Sequence, residues 1–185
     1  MKKMIMCMAI LVLASSGVHA ATIGTGWIDQ VVYFDRPPYS SSEGGPPENA
    51  LGPNDDKFVS IDTPETLVLA FVDNLAINGP GNDLRVYEYL NGDSDVQIWA
   101  GQDTLNWVFL GTTDSTIEYD LQNYGLDWIS HVKFVGLQNG GTYSGYDLDA
   151  VFAINSTPVP IPGAVWLLGS GLTAVVASRR RRTRE

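Results

Sequence analysis

Cysteine is all but missing from this chain: its single copy, Cys7, lies among apolar residues close to the start. From Ala21 onward there is none, which excludes a disulfide framework, thiol chemistry and a cysteine zinc site. Histidine is nearly as scarce, with only His19 and His131. Cations are few as well. Between Ala21 and Thr157, only Arg36, Lys57, Arg85 and Lys133 stand against twenty Asp and Glu, a formal net charge of −16. Such a field repels nucleic acid and anionic lipid, so no nucleic-acid partner is expected; it suits a divalent cation or a cationic partner, or simply keeps an exported protein soluble. Catalytic signatures are also wanting: there is no Gly-x-Ser-x-Gly elbow, no His-Glu-x-x-His pair and no phosphate-cradling glycine loop. The reading is therefore of a protein that is not an enzyme. A secreted hydrolase is retained as a third reading, because among twenty carboxylates some pair always stands at a distance usable for glycoside cleavage.

What the chain does have begins at its ends. Residues 1–20, MKKMIMCMAILVLASSGVHA, join Lys2 and Lys3 to an apolar run and then to small residues before Ala20. This is the layout of a secretory signal peptide, with cleavage by signal peptidase expected after Ala20. At the other end, the stretch from Val159 to Ala177 carries no charge and is followed by Arg179, Arg180, Arg181 and Arg182. As a helix, it would be roughly 28 Å long, close to the thickness of a bilayer core, with the arginines holding its far end in the cytoplasm.

The same segment, VPIPGAVWLLGSGL with its basic tail, resembles the PEP-CTERM sorting signal in a VPLPA-like variant. The likeness rests on Val159, Pro160, Ile161, Pro162, Trp166, Gly169, Ser170, Gly171 and Arg179 to Arg182. Val-Pro-Ile-Pro stands where Pro-Glu-Pro is usual. The resemblance implies processing by an exosortase-like membrane protease, transient anchoring in the inner membrane and delivery to the cell surface or the medium. The expected organisation is a signal peptide at 1–20, a domain at 21–154, a linker at 155–160 and a sorting signal at 159–185.

The domain itself reads as all-β. Nine short runs rich in Val, Ile, Leu and aromatics recur between Gly, Asn, Asp and Pro clusters: WIDQVVYF from Trp27, KFVSI from Lys57, TLVLAFV from Thr66, DLRVYEY from Asp83, DVQIWA from Asp95, NWVFLG from Asn106, TIEYDL from Thr116, HVKFVGL from His131 and YDLDAVFAI from Tyr146. None has a helical period, and the spacing predicts a sandwich or barrel. Alternation predicts that Leu67, Leu69 and Phe71 share one face, and that Leu148, Ala150, Phe152 and Ile154 share another.

The segments Pro47 to Ile61, Asn78 to Glu88 and Gly145 to Val151 resemble bacterial cell-surface domains with a discoidin or galactose-binding-like sandwich. A jelly-roll-like β-sandwich is the fold this implies. From the residues themselves, Asp83, Asp147 and Asp149, with Asn49, Asp55 and Asp56 behind them, offer oxygens from three segments. One structural calcium ion is the expectation, against the plain alternative that these are turn formers.

Aromatic residues are plentiful, and an exposed ring face can stack on a sugar while polar neighbours bind its hydroxyls. Tyr39, Tyr124 and Tyr143, set among Ser, Gly and Asn, are the expected carbohydrate contacts, whereas Trp99 and Trp107 are expected in the core and His131 toward solvent. The main reading is a non-enzymatic component of the bacterial envelope or extracellular matrix. The alternative is a carbohydrate-binding module for exopolysaccharide.

Overall fold

A computed structural model describes residues 26–36, 44–89, 94–137 and 145–159. The expected signal peptide, Tyr39, Tyr143 and the sorting signal beyond Val159 lie outside the described residues. Among the described residues, no helix is long and apolar enough to cross a membrane.

Each of the nine apolar runs overlaps a strand: β1 (Gln30–Asp35), β2 (Val59–Ile61), β3 (Thr66–Ala70), β5 (Leu84–Glu88), β6 (Val96–Gly101), β7 (Val108–Thr113), β8 (Ile117–Tyr119), β10 (His131–Gly136) and β11 (Tyr146–Ala153). Three more, β4 (Asn74–Ile77), β9 (Trp128–Ile129) and β12 (Ser156–Pro158), come from segments too short or too polar to show a period. Two 3₁₀ turns, Pro47–Ala50 and Leu121–Tyr124, complete the elements. The fold is an all-β sandwich, with a five-stranded sheet ordered β1-β3-β10-β6-β7, a four-stranded sheet ordered β2-β11-β5-β8 and a small sheet ordered β12-β4-β9. All its strand pairs are antiparallel.

The core lies between the two larger sheets. Leu67, Leu69, Ile98, Val132 and Phe134 enter it from one side, and Val59, Ile61, Val86, Leu148 and Val151 from the other. Leu67, Leu69 and Phe71 are buried together as their alternation requires. The second alternation fails. In β11 the pairing shifts between Leu148 and Ala150, an inserted residue that reverses the phase of the strand. Leu148, Val151 and Ala153 therefore join the core cluster, while Phe152 packs on Trp27 at 4.5 Å and Ile154 is exposed. The expected linker is also partly structured: Ser156 and Thr157 pair with Ala76 and Leu75, and the Val159 N–H donates to the Asp73 carbonyl at 2.9 Å.

Candidate functional site

The acidic residues expected to share a calcium ion are used in three separate places. Leu84 pairs with Ala153 and Glu88 with Leu148, so Asp83 lies near the end of β11 opposite to Asp147. At about 3.3 Å per residue that separation is roughly 20 Å, beyond the reach of one ion. Asp83 accepts from the Gly79 and Leu121 N–H groups at 2.8 Å each and from Asn155 Nδ2 at 2.7 Å, which ties three loops together. Asp147 accepts from Ser60 Oγ at 2.5 Å.

Asp149, at the bulge, accepts from Asn54 Nδ2 at 2.8 Å and from the Asp55 and Asp56 N–H groups at 3.1 and 3.0 Å. Burial raises its pKa, and the donated N–H bonds work against that rise. Asp55 turns outward to Lys57 Nζ at 2.5 Å, and Asn49 donates to the Phe58 carbonyl at 3.0 Å. Asp56 takes a left-handed backbone (φ 66°), which Asp tolerates. The structure thus sets Asp83 apart from Asp147 and Asp149, and each of the three carboxylates accepts hydrogen bonds from protein donors. Among the described residues, no group of three or more His, Cys, Asp or Glu is placed to hold a metal.

Tyr124 is likewise spoken for. Its ring meets Tyr119 edge-on at 6.1 Å and its hydroxyl donates to the Leu110 carbonyl at 2.8 Å, so it braces a loop.

An aromatic platform exists elsewhere, on the outer face of the five-stranded sheet. Register places Tyr33 opposite Val68, Val68 opposite Lys133, Lys133 opposite Trp99 and Trp99 opposite Phe109. These five side chains form one row across all five strands, about 19 Å from end to end at the usual strand spacing. Lys133 is the hub. Its Nζ lies 4.8 Å from the centre of the Trp99 ring and 4.6 Å from that of Trp107. Burial lowers its pKa.

Trp107 reaches the row from the loop between β6 and β7, whose shape is set locally. Asp103 accepts from the Leu105 and Asn106 N–H groups at 2.8 Å each, which folds the loop back and lowers the Asp103 pKa. Gly101 makes room for this, since a Cβ there would stand 2.6 Å from the Asp103 carbonyl oxygen. Trp107 Nε1 then donates to the Thr104 carbonyl at 3.2 Å, fixing the indole. His131 stands edge-on to it at 6.5 Å, with Nδ1 2.7 Å from Ser130 Oγ, and is half-buried where sequence alone predicted solvent.

Between Tyr33 and Trp107 the surface dips into a depression of about 350 Å³, lined also by Val32, Thr66, Val68, Thr104 and Lys133. Val32, Tyr33 and Phe109 are 41%, 51% and 43% exposed, an apolar surface of the kind that marks interaction sites.

Trp99 and Trp107 were expected in the core and stand on the outer face. The alternation in β6 carries the signal: Gln97 and Trp99 fall opposite Val96, Ile98 and Ala100, just as His131 and Lys133 fall opposite Val132 and Phe134. Tyr33 is harder to foresee, because the pairing of β1 shifts between Val31 and Tyr33.

No family model matches this chain, and no curated protein matches it. Among solved structures, the fold is similar to the C-terminal domain of a chitobiase from Bacteroides fragilis, with 16% identity over 73% of this chain and 96% of that one and a TM-score of 0.47. It is also similar to a CBM32 module of a family 31 glycoside hydrolase from Clostridium perfringens, with 12% identity over 69% of this chain and 94% of that one and a TM-score of 0.46.

Proposed function

We propose that this chain is an exported, non-enzymatic β-sandwich protein that binds carbohydrate through the outer face of its five-stranded sheet. The observation that carries the reading is the depression between Tyr33 and Trp107, with Lys133 at its side. Pockets for small ligands are concave, mostly apolar and of roughly 300–1,000 Å³, with a few placed polar groups, and this one meets each condition. A sugar ring offers apolar C–H faces to an aromatic ring and hydroxyls to an ammonium or a threonine, so Trp107, Tyr33, Lys133 and Thr66 suit its two kinds of surface. Glycan binding thereby takes precedence over the purely structural role in the envelope or matrix.

Export belongs to the same reading. Residues 1–20 would direct secretion and be removed after Ala20, and the segment from Val159 to Arg182 would serve as the sorting signal. The test of binding is retention of the released protein in native gels that contain soluble polysaccharide. Retardation that disappears in Trp107→Ala supports the reading; migration unaffected by every polysaccharide tried overturns it. Intact mass of the exported form tests the processing, which fails if the arginine tail is still present.

A further inference from the structure

Four cations serve the acidic domain, and three of them are neutralised. Arg36 pairs with the buried Glu65 at 2.8 Å, Lys57 with Asp55, and Arg85 with Glu118. Lys133 differs: among the described residues, no carboxylate pairs with it and no oxygen accepts a hydrogen bond from it. An ammonium partly withdrawn from water gains most from an anionic acceptor, because a charge-assisted hydrogen bond replaces hydration the indoles have removed.

Resting on the glycan-binding reading, we infer that the ligand is an anionic polysaccharide whose carboxylate or sulfate group is received by Lys133 in the depression between Tyr33 and Trp107. The acidity of the rest of the domain sharpens this assignment. A formal charge of −16 repels a polyanion from most of the surface, yet beyond about 8 Å that repulsion is largely screened at physiological ionic strength. Contact at Lys133 is therefore decided locally, and the surrounding carboxylates act against any other docking position. Of the carboxylates near the depression, Asp35 is hydrogen-bonded to the Tyr33 hydroxyl, and Asp103 has its oxygens turned into its own loop by Leu105 and Asn106. The β3 and β6 residues facing Lys133 across the sheet are Val68 and Trp99, both without charge.

The experiment compares the exported full protein with its Lys133→Met, Lys133→Arg and Lys57→Met variants. Each is titrated against a polyuronate, a sulfated dextran and unmodified dextran, with urea midpoints confirming that each is folded. The expected result is binding to one or both polyanions at least tenfold tighter than to dextran, lost in Lys133→Met, largely kept in Lys133→Arg and unchanged in Lys57→Met. Preference for the polyuronate or for the sulfated polymer identifies the anionic group. Equal affinity for charged and uncharged polymers, or polyanion binding that survives Lys133→Met, overturns the inference and leaves glycan binding standing. Absence of binding to all three overturns both.

Discussion

Each of the two large sheets carries a cation among aromatic rings on its outer face, and the two clusters are finished differently. On the four-stranded sheet, Trp27 packs on Phe152 at 4.5 Å and on Tyr87 at 5.8 Å, with Arg85 over the Tyr87 ring at 5.5 Å. There Arg85 also pairs with Glu118, which Asn82 holds from its other side, so its charge is neutralised within the protein. On the five-stranded sheet, Lys133 has two indoles and, among the described residues, no carboxylate. On the proposed reading the difference separates packing from recognition: the first cluster is tied into the protein by its own pairs, while the second lies beside a depression and has a charge left to offer.

Truncation of one ring on each side is the hardest test of that contrast. Trp27→Ala removes a half-buried ring from contact with two others and should cost about 2 kcal/mol, lowering Tm by roughly 5–10 °C. Its glycan affinity should be unaltered. Trp107→Ala should do the reverse, with a stability loss below about 1 kcal/mol and a loss of affinity of at least tenfold, about 1.4 kcal/mol. Thermal melts and polysaccharide titrations on the same two proteins check both halves. Should Trp27→Ala weaken binding and Trp107→Ala leave it alone, the roles assigned to the two faces are exchanged.

The division between closed and open clusters was only partly legible in the sequence. Strand positions were, because apolar β-branched and aromatic runs between turn formers are a local signal, and all nine runs overlap a strand. Lost were features that depend on partners distant in the chain. The bulge at Asp149 reverses the face of every later residue in β11, and Asp149 is held there by Asn54, Asp55 and Asp56, more than ninety residues earlier. The carboxylates expected as calcium ligands anchor loops through hydrogen bonds from protein donors, at distances that composition does not give. The tryptophans misled for another reason: hydrophobicity assigned Trp99 to the core, whereas its place beside Gln97 in the alternation assigns it to the outer face.

A smaller effect sharpens the comparison at the cations themselves. Arg85→Met removes the pair with Glu118 and the Arg85 Nη1 bond to the Tyr87 hydroxyl at 3.2 Å. Both side chains of the pair are partly exposed and screened by solvent, so the loss should stay at or below about 1 kcal/mol. Lys133→Met replaces an unpaired, partly desolvated ammonium by an apolar chain of similar length lying between indoles. Stability should hold or rise, by up to about 1 kcal/mol. Opposite signs in the two urea midpoints would show that one cation is kept for the fold and the other in spite of it. A clear loss in Lys133→Met would make Lys133 a packing element like Arg85.

The smallest effect concerns His131, the one imidazole of the open cluster. Burial beside Trp107 and Ser130 lowers its pKa below the ordinary 6.5, and the more distant Asp103 charge offsets that only in part. The folded state thus favours the neutral ring. A base with a depressed folded pKa contributes its full stability above the unfolded value, and that contribution is lost as pH falls through 6.5 toward the folded pKa, where the unfolded chain binds the extra proton. Wild type should therefore lose stability relative to His131→Gln between pH 7 and pH 5. The carboxylates titrate in both proteins, so the difference between their urea midpoints at pH 7, 6 and 5 isolates the imidazole. A gap that does not change with pH would mean that the ring titrates as it does in water, and one that moves in favour of wild type would make Asp103 the dominant neighbour. In that last case the open face would gain its second cation at a higher pH, and polyanion binding would strengthen earlier in the descent from pH 7 to pH 5.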